Sequence, residues 1–138
     1  MDTNVRPITP PSGLDTGLIQ AGVHWDAVRA PERIGKRVLA LLGDTCGAVI
    51  HDPFTPCFYW LTPAGSATCW EFPGSTRVYA LGRTSWLAVP PREFVGVPGL
   101  RWARPVEDGH VLTPPEALHA ALDLAVADHR SPREVMAG

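Results

Sequence analysis

Lysine is almost missing from this chain: Lys36 is the only one, and every other basic residue is arginine. A GC-rich bacterial coding sequence gives that bias, and no mechanism requires it. Long hydrophobic runs are missing too, so no segment reaches the roughly 18 apolar residues of a membrane-spanning helix. The opening MDTNVRPITPPSG has neither the basic start nor the apolar core of a signal peptide, and a cytoplasmic protein that does not enter a membrane is expected. Cysteine is scarce. Cys46, Cys57 and Cys69 are odd in number and cannot all pair, and in a reducing compartment free thiols are the default. A strong charge of either sign is absent: the net charge of -2 excludes a uniformly basic surface that would grip duplex DNA without regard to sequence. Internal repeats are also absent.

Proline and glycine are plentiful, 15 and 13 in 138 residues. This pattern predicts short elements joined by many turns, in a chain long enough for one domain with its own core. Residues 1–15 read as a flexible arm, 16–130 as a single domain and 131–138 as a tail. A first helix is expected over 31–42, with Pro31 in its first turn, Gly43 ending it, and Ile34, Val38, Leu41 and Leu42 on one face. A second should start at the T-x-x-E capping box of Thr113 and Glu116, with Leu118, Ala121, Leu122 and Ala125 as its buried stripe and His119 outside it. Between them, 48–51, 57–61, 77–81, 85–89 and 100–103 read as strands, with another at 23–25. Residues 77–89 look like a hairpin turning at Gly82, Arg83 and Thr84. The expected class is α+β: a mostly antiparallel mixed sheet of about five to six strands with two main helices packed on it.

The helix with Gly35 and Leu39–Leu42, the strand CFYWLTP, the hairpin RVYALGRTSWLAVPP and the closing GLRW together resemble the N-terminal domain of bifunctional DNA primase-polymerases, of the archaeo-eukaryotic primase superfamily. The resemblance spans roughly residues 18–104 and rests on order, spacing and the Pro90-Pro91 element. Gly82, Trp86, Ala88 and Trp102 also fit the family's structural pattern. It implies a metal site built from an Asp-x-Asp pair, a nucleotide-contacting His and a third Asp. Position by position, Asp26 takes the first acidic place, Val28 the second, Cys57 the place of the His, Tyr79 that of the third Asp, and Leu81 that of an Arg. Two-metal phosphoryl transfer needs several carboxylate oxygens to hold Mg²⁺ or Mn²⁺, and one Asp does not supply them. Asp44 or Asp52 would have to complete the set, but Pro53 marks Asp52 as a turn residue. The implied domain is therefore shortened and degenerate, with Asp26, Cys57 and Tyr79 as remnant-site positions and no catalytic residue.

Other chemistry finds little support in the residues. His51, Cys46, Cys57 and Cys69 are ligand types for zinc, but their spacing is far longer than the two to four residues of structural zinc pairs. PAGSATC and FPGSTRV do not match the G-x-S-x-G turn of a serine hydrolase, and a Cys57–His24 pair has nothing local to support it. Residues 77–104 concentrate arginine, and Trp86 or Trp102 beside Arg83 and Arg101 would make a stacking platform for single-stranded nucleic acid. Both faces of 85–89 are apolar, which instead predicts a central strand covered on both sides.

The leading expectation is a catalytically inactive regulatory or protein-interaction module with an unknown protein partner and no cofactor or metal. A competing reading has Arg29, Arg83 and Arg101 converge with the tryptophans on nucleic acid or a nucleotide. A third, a residual metal-dependent nucleotidyl enzyme, needs at least two acids near Asp26.

Overall fold

The computed structural model describes residues 16–82 and 85–137, with side chains to Asp128. The arm expected at 1–15 lies outside the described residues. Among the described residues, seven strands and two α-helices follow in the order β1 (Gly17–Gln20), β2 (Trp25–Pro31), α1 (Glu32–Leu42), β3 (Val49–Asp52), β4 (Cys57–Pro63), β5 (Tyr79–Leu81), β6 (Trp86–Val89), β7 (Arg101–Arg104) and α2 (Pro115–Ala137). The fold class is α+β, as the sequence led us to expect. Five strands form one antiparallel sheet in the order β5-β2-β4-β3-β7, and β1 and β6 form a separate antiparallel ribbon.

Alternation along β2 and β4 divides the core into two layers. Val28, Ala30, Phe58 and Trp60 face α1 and α2, where they meet Ile34, Val38, Leu118 and Leu122. Trp25, Ala27 and Leu61 face the other way, against Leu87 and Val89 of the ribbon and Trp102 of β7. The molecule therefore has three layers: helices, sheet and ribbon.

Local chemistry accounts for the ends of α1. Pro31 closes β2 in an extended conformation (φ -62°, ψ 159°), and the helix starts at the next residue. Gly43, at φ 52°, donates its N–H to Leu39 O and ends it. Ile34, Val38 and Leu42 are buried as expected, but Leu41 is 37% exposed, at the margin beside Leu124 of α2.

The start of α2 differs from expectation. The Thr113 hydroxyl accepts from the Gly47 N–H at 2.9 Å, so it ties the loop before β3 to α2 instead of closing a capping box. The helix also continues to Ala137, through the segment read as a tail.

The hairpin expected over 77–89 does not form. Its two strands go to different sheets, β5 beside β2 and β6 beside β1. The strand expected at 23–25 is instead the seven-residue β2, which puts Asp26 inside a strand and not beyond its end.

Candidate functional site

The three remnant-site positions do not come together. Asp26 pairs in register with Thr62, Arg29 with both Tyr59 and Tyr79, and Pro31 with Cys57. Residues 26, 28 and 30 face the helices, whereas Cys57, Tyr59 and Tyr79 share the opposite face with Arg29. Asp26 and Cys57 are five register positions apart along β4, about 17 Å at the usual strand rise, and on opposite sides of the sheet. Asp52 does not complete the set, because it lies in register with Cys57. Its Oδ1 accepts from Phe54 N at 2.9 Å and its Oδ2 from the Thr55 hydroxyl at 3.0 Å, which is the turn role that Pro53 suggested. Asp44 is exposed on the turn after α1. His24 precedes the start of β2, at the opposite end from Cys57. Among the described residues, no three His, Cys, Asp or Glu side chains are placed to hold a metal ion together.

Around Cys57 the sheet carries a polar cluster. Arg29 Nε donates to Cys57 Sγ at 3.3 Å, and the Thr55 hydroxyl lies 3.4 Å from the same sulfur. The Arg29 guanidinium is held above its ordinary pKa chiefly by this bond. Burial, with Cys57 second, pushes the Tyr59 phenol up to about 12. Cys57 is only 1% exposed, so its sulfur is shielded from reagents in solvent.

The proposed nucleic-acid contacts scatter as well. Trp102 is 1% exposed and its Nε1 donates to the carbonyls of Pro90 and Pro91, so it is a core residue and offers no stacking face. Arg101 lies opposite His51, on the helix side of the sheet, and its Nη1 donates to Gly99 O at 3.2 Å. Arg29 is three strands away and on the other side. Arg83 lies outside the described residues. Trp86 is the exception, at 60% exposure. Its strand is not covered on both sides as its apolar pattern suggested: Leu87 and Val89 point into the core, while Trp86 and Ala88 point outward with Gln20 and Leu18 of β1 opposite them. Leu18 is 67% exposed, so the outer face of the ribbon is an apolar surface in solvent.

Two of the concave features among the described residues lie near candidate side chains. One is a cavity of about 380 Å³ where β2 begins and β4 and β5 end, with Asp26 in its wall beside Ala67, Ala80 and Gly65. The other is an open cleft at the start of α2, where the His119 ring packs edge-on against Trp70 at 4.8 Å and its Nδ1 lies 3.3 Å from Asp123. Sequence reasoning singled out Asp26 but missed the loop that walls it, because Ala64–Thr68 is short, small and without periodicity. No protein-family model, curated protein or solved structure matches this chain.

Proposed function

We propose that this protein is a binding module that docks a partner protein through the outer face of the β1–β6 ribbon. The observation that carries the proposal is the pair Leu18 and Trp86, both more than half exposed on adjacent strands of a ribbon whose inner face is fully used by the core. Exposed apolar side chains that lie together form the kind of patch that interfaces cover, and tryptophan is enriched among the residues that carry interface binding energy. A nucleic-acid platform would need cationic groups beside the ring. Among the described candidate contacts, Arg29 and Arg101 belong instead to the two faces of the main sheet. The primase-polymerase resemblance contributes no site to this reading, because Asp26 stands apart from Cys57 and Tyr79.

The experiment compares wild type with the Leu18→Ser/Trp86→Ser double variant. Both substitutions lie on the surface and should change unfolding free energy by no more than about 0.5 kcal/mol each. A partner co-purified with wild type from source cells should be lost by the variant. A partner retained by the variant would sink the ribbon as the docking face. Micromolar binding of a labelled single-stranded oligonucleotide that weakens steeply with salt would move the protein to the nucleic-acid class.

A further inference from the structure

We infer that the open cleft between the loop after β4 and the start of α2 receives an arginine side chain displayed by a partner protein, at a surface separate from the ribbon. Its volume of about 560 Å³ is of the order that binding clefts have. Trp70 lines it from the loop, and Glu116, His119, Ala120 and Asp123 line it from the helix. These four recur at the three- and four-residue spacing that puts side chains on one helix face. Trp70 and Phe72 also pack on the core layer beneath the helices, so the cleft lies on the opposite side of the sheet from the ribbon.

The fold holds the parts of this cleft in place before any ligand arrives. Buried Asp26 accepts from the Ala67 N–H at 2.9 Å, and Ala67 O accepts from the Trp70 N–H at 3.1 Å, which anchors the loop that carries the indole. The His119 ring packs edge-on against Trp70 at 4.8 Å and lies tilted to Phe72 at 5.8 Å. Its Nδ1 is 3.3 Å from Asp123 Oδ2, so one imidazole fixes both an aromatic ring and a carboxylate. Trp70 is only half-buried, and Glu116, Ala120 and Asp123 are exposed, which leaves the indole and both carboxylates open to a ligand. Groups already ordered lose little freedom on binding.

An aromatic ring beside two carboxylates suits a planar organic cation. The carboxylate oxygens accept guanidinium N–H donors, and the ring takes the flat cation or its methylene stem against its face. The charge of lysine is compact and strongly hydrated, and gains less from the ring. Phosphates and other anions are repelled by the same carboxylates. The open form of the cleft decides the source of the cation. A small-molecule site buries most of its ligand, whereas this cleft covers one side and suits a side chain whose backbone stays on its own protein.

The test is an NMR titration of ¹⁵N-labelled protein with the end-blocked peptide Gly-Gly-Arg-Gly-Gly, and with counterparts that carry lysine or the uncharged isostere citrulline in place of arginine. Saturable shifts are expected at the Trp70 indole N–H and at the amides of His119 and Ala120. The lysine peptide should bind at least about threefold more weakly and the citrulline peptide at least about tenfold. The Glu116→Gln/Asp123→Asn double variant, changed only at exposed helix positions, should weaken the arginine peptide at least about fivefold. Ala120→Arg, which fills the cleft with a cation of its own, should abolish binding, and unchanged amide spectra away from the cleft check that both variants fold. Absence of saturable shifts with the arginine peptide up to about 20 mM would overturn the inference. So would equal binding of the lysine or citrulline peptide, or binding unchanged in either variant. Methylguanidinium binding as tightly as the arginine peptide would assign the cleft to a free small cation and overturn the partner-displayed side chain.

Discussion

Thr113 shows how one small polar residue joins elements distant in sequence. Its hydroxyl accepts from Gly47 N–H, its own N–H donates to Leu61 O, and its carbonyl accepts from the Thr62 hydroxyl. The residue is fully buried, so none of these groups has water as an alternative. Thr113→Val keeps the shape and removes the acceptor, leaving the Gly47 N–H unsatisfied. A loss of about 1–3 kcal/mol in unfolding free energy is expected from urea denaturation, and Thr113→Ser should restore most of it. The T-x-x-E pattern gave a different role because a capping box and a tertiary tie use the same hydroxyl. Only the approach of Gly47, which is not a local feature, decides between them.

Among the elements, α1 is defined as much by a gap as by its apolar stripe. Gly35 faces the Phe58 ring so closely that a Cβ there would fall 2.4 Å from the ring's Cδ2. That ring stacks on His51 at 4.7 Å and is tilted against Trp60 at 5.9 Å, so it has little room to retreat. Helix propensity alone would favour Gly35→Ala by about 1 kcal/mol. The clash opposes it by about 1–3 kcal/mol, as overpacked cores do, and should win. The variant should unfold at lower denaturant concentration despite its better helix former. The helices were legible in the sequence because their 3.6-residue period survives in Ile34, Val38, Leu42, Leu118, Leu122 and Ala125. The strands' partners were not. Nothing local in 77–89 tells a hairpin from two strands that separate at Gly82 into different sheets. Placing β2 at 23–25 also hid which face Asp26 takes, and with it the separation of Asp26 from Cys57 and Tyr79.

For the molecule as a whole, the three-layer arrangement sets how stability responds to alkaline pH. Tyr59 sits half-buried on the ribbon side of the sheet with its pKa raised to about 12, above the value near 10 of an unfolded chain. The folded state therefore keeps a proton that the unfolded state releases between about pH 10 and 12. The stabilisation is complete below pH 10 and is lost as pH rises through 12. Thermal unfolding followed across this range should show a falling midpoint, and Tyr59→Phe should flatten that fall. A slope unchanged in the variant would assign the alkaline loss to other groups. The α+β class could be inferred from composition and periodicity, whereas the third layer, and with it the outward turn of Trp86, depended on a ribbon pairing between residues about half the chain apart.

That pairing also governs the order in which the molecule is completed. β1 leaves the ribosome early, but its partner β6 follows only after the whole main sheet except β7 has been made. Closing so long a loop is slow compared with the neighbouring β3–β4 turn. A nascent or prematurely terminated chain can hold α1, β2, β3 and β4 without yet presenting Leu18 and Trp86 side by side. The proposed recognition through that face would then engage only chains made at least through β6, and would ignore shorter fragments.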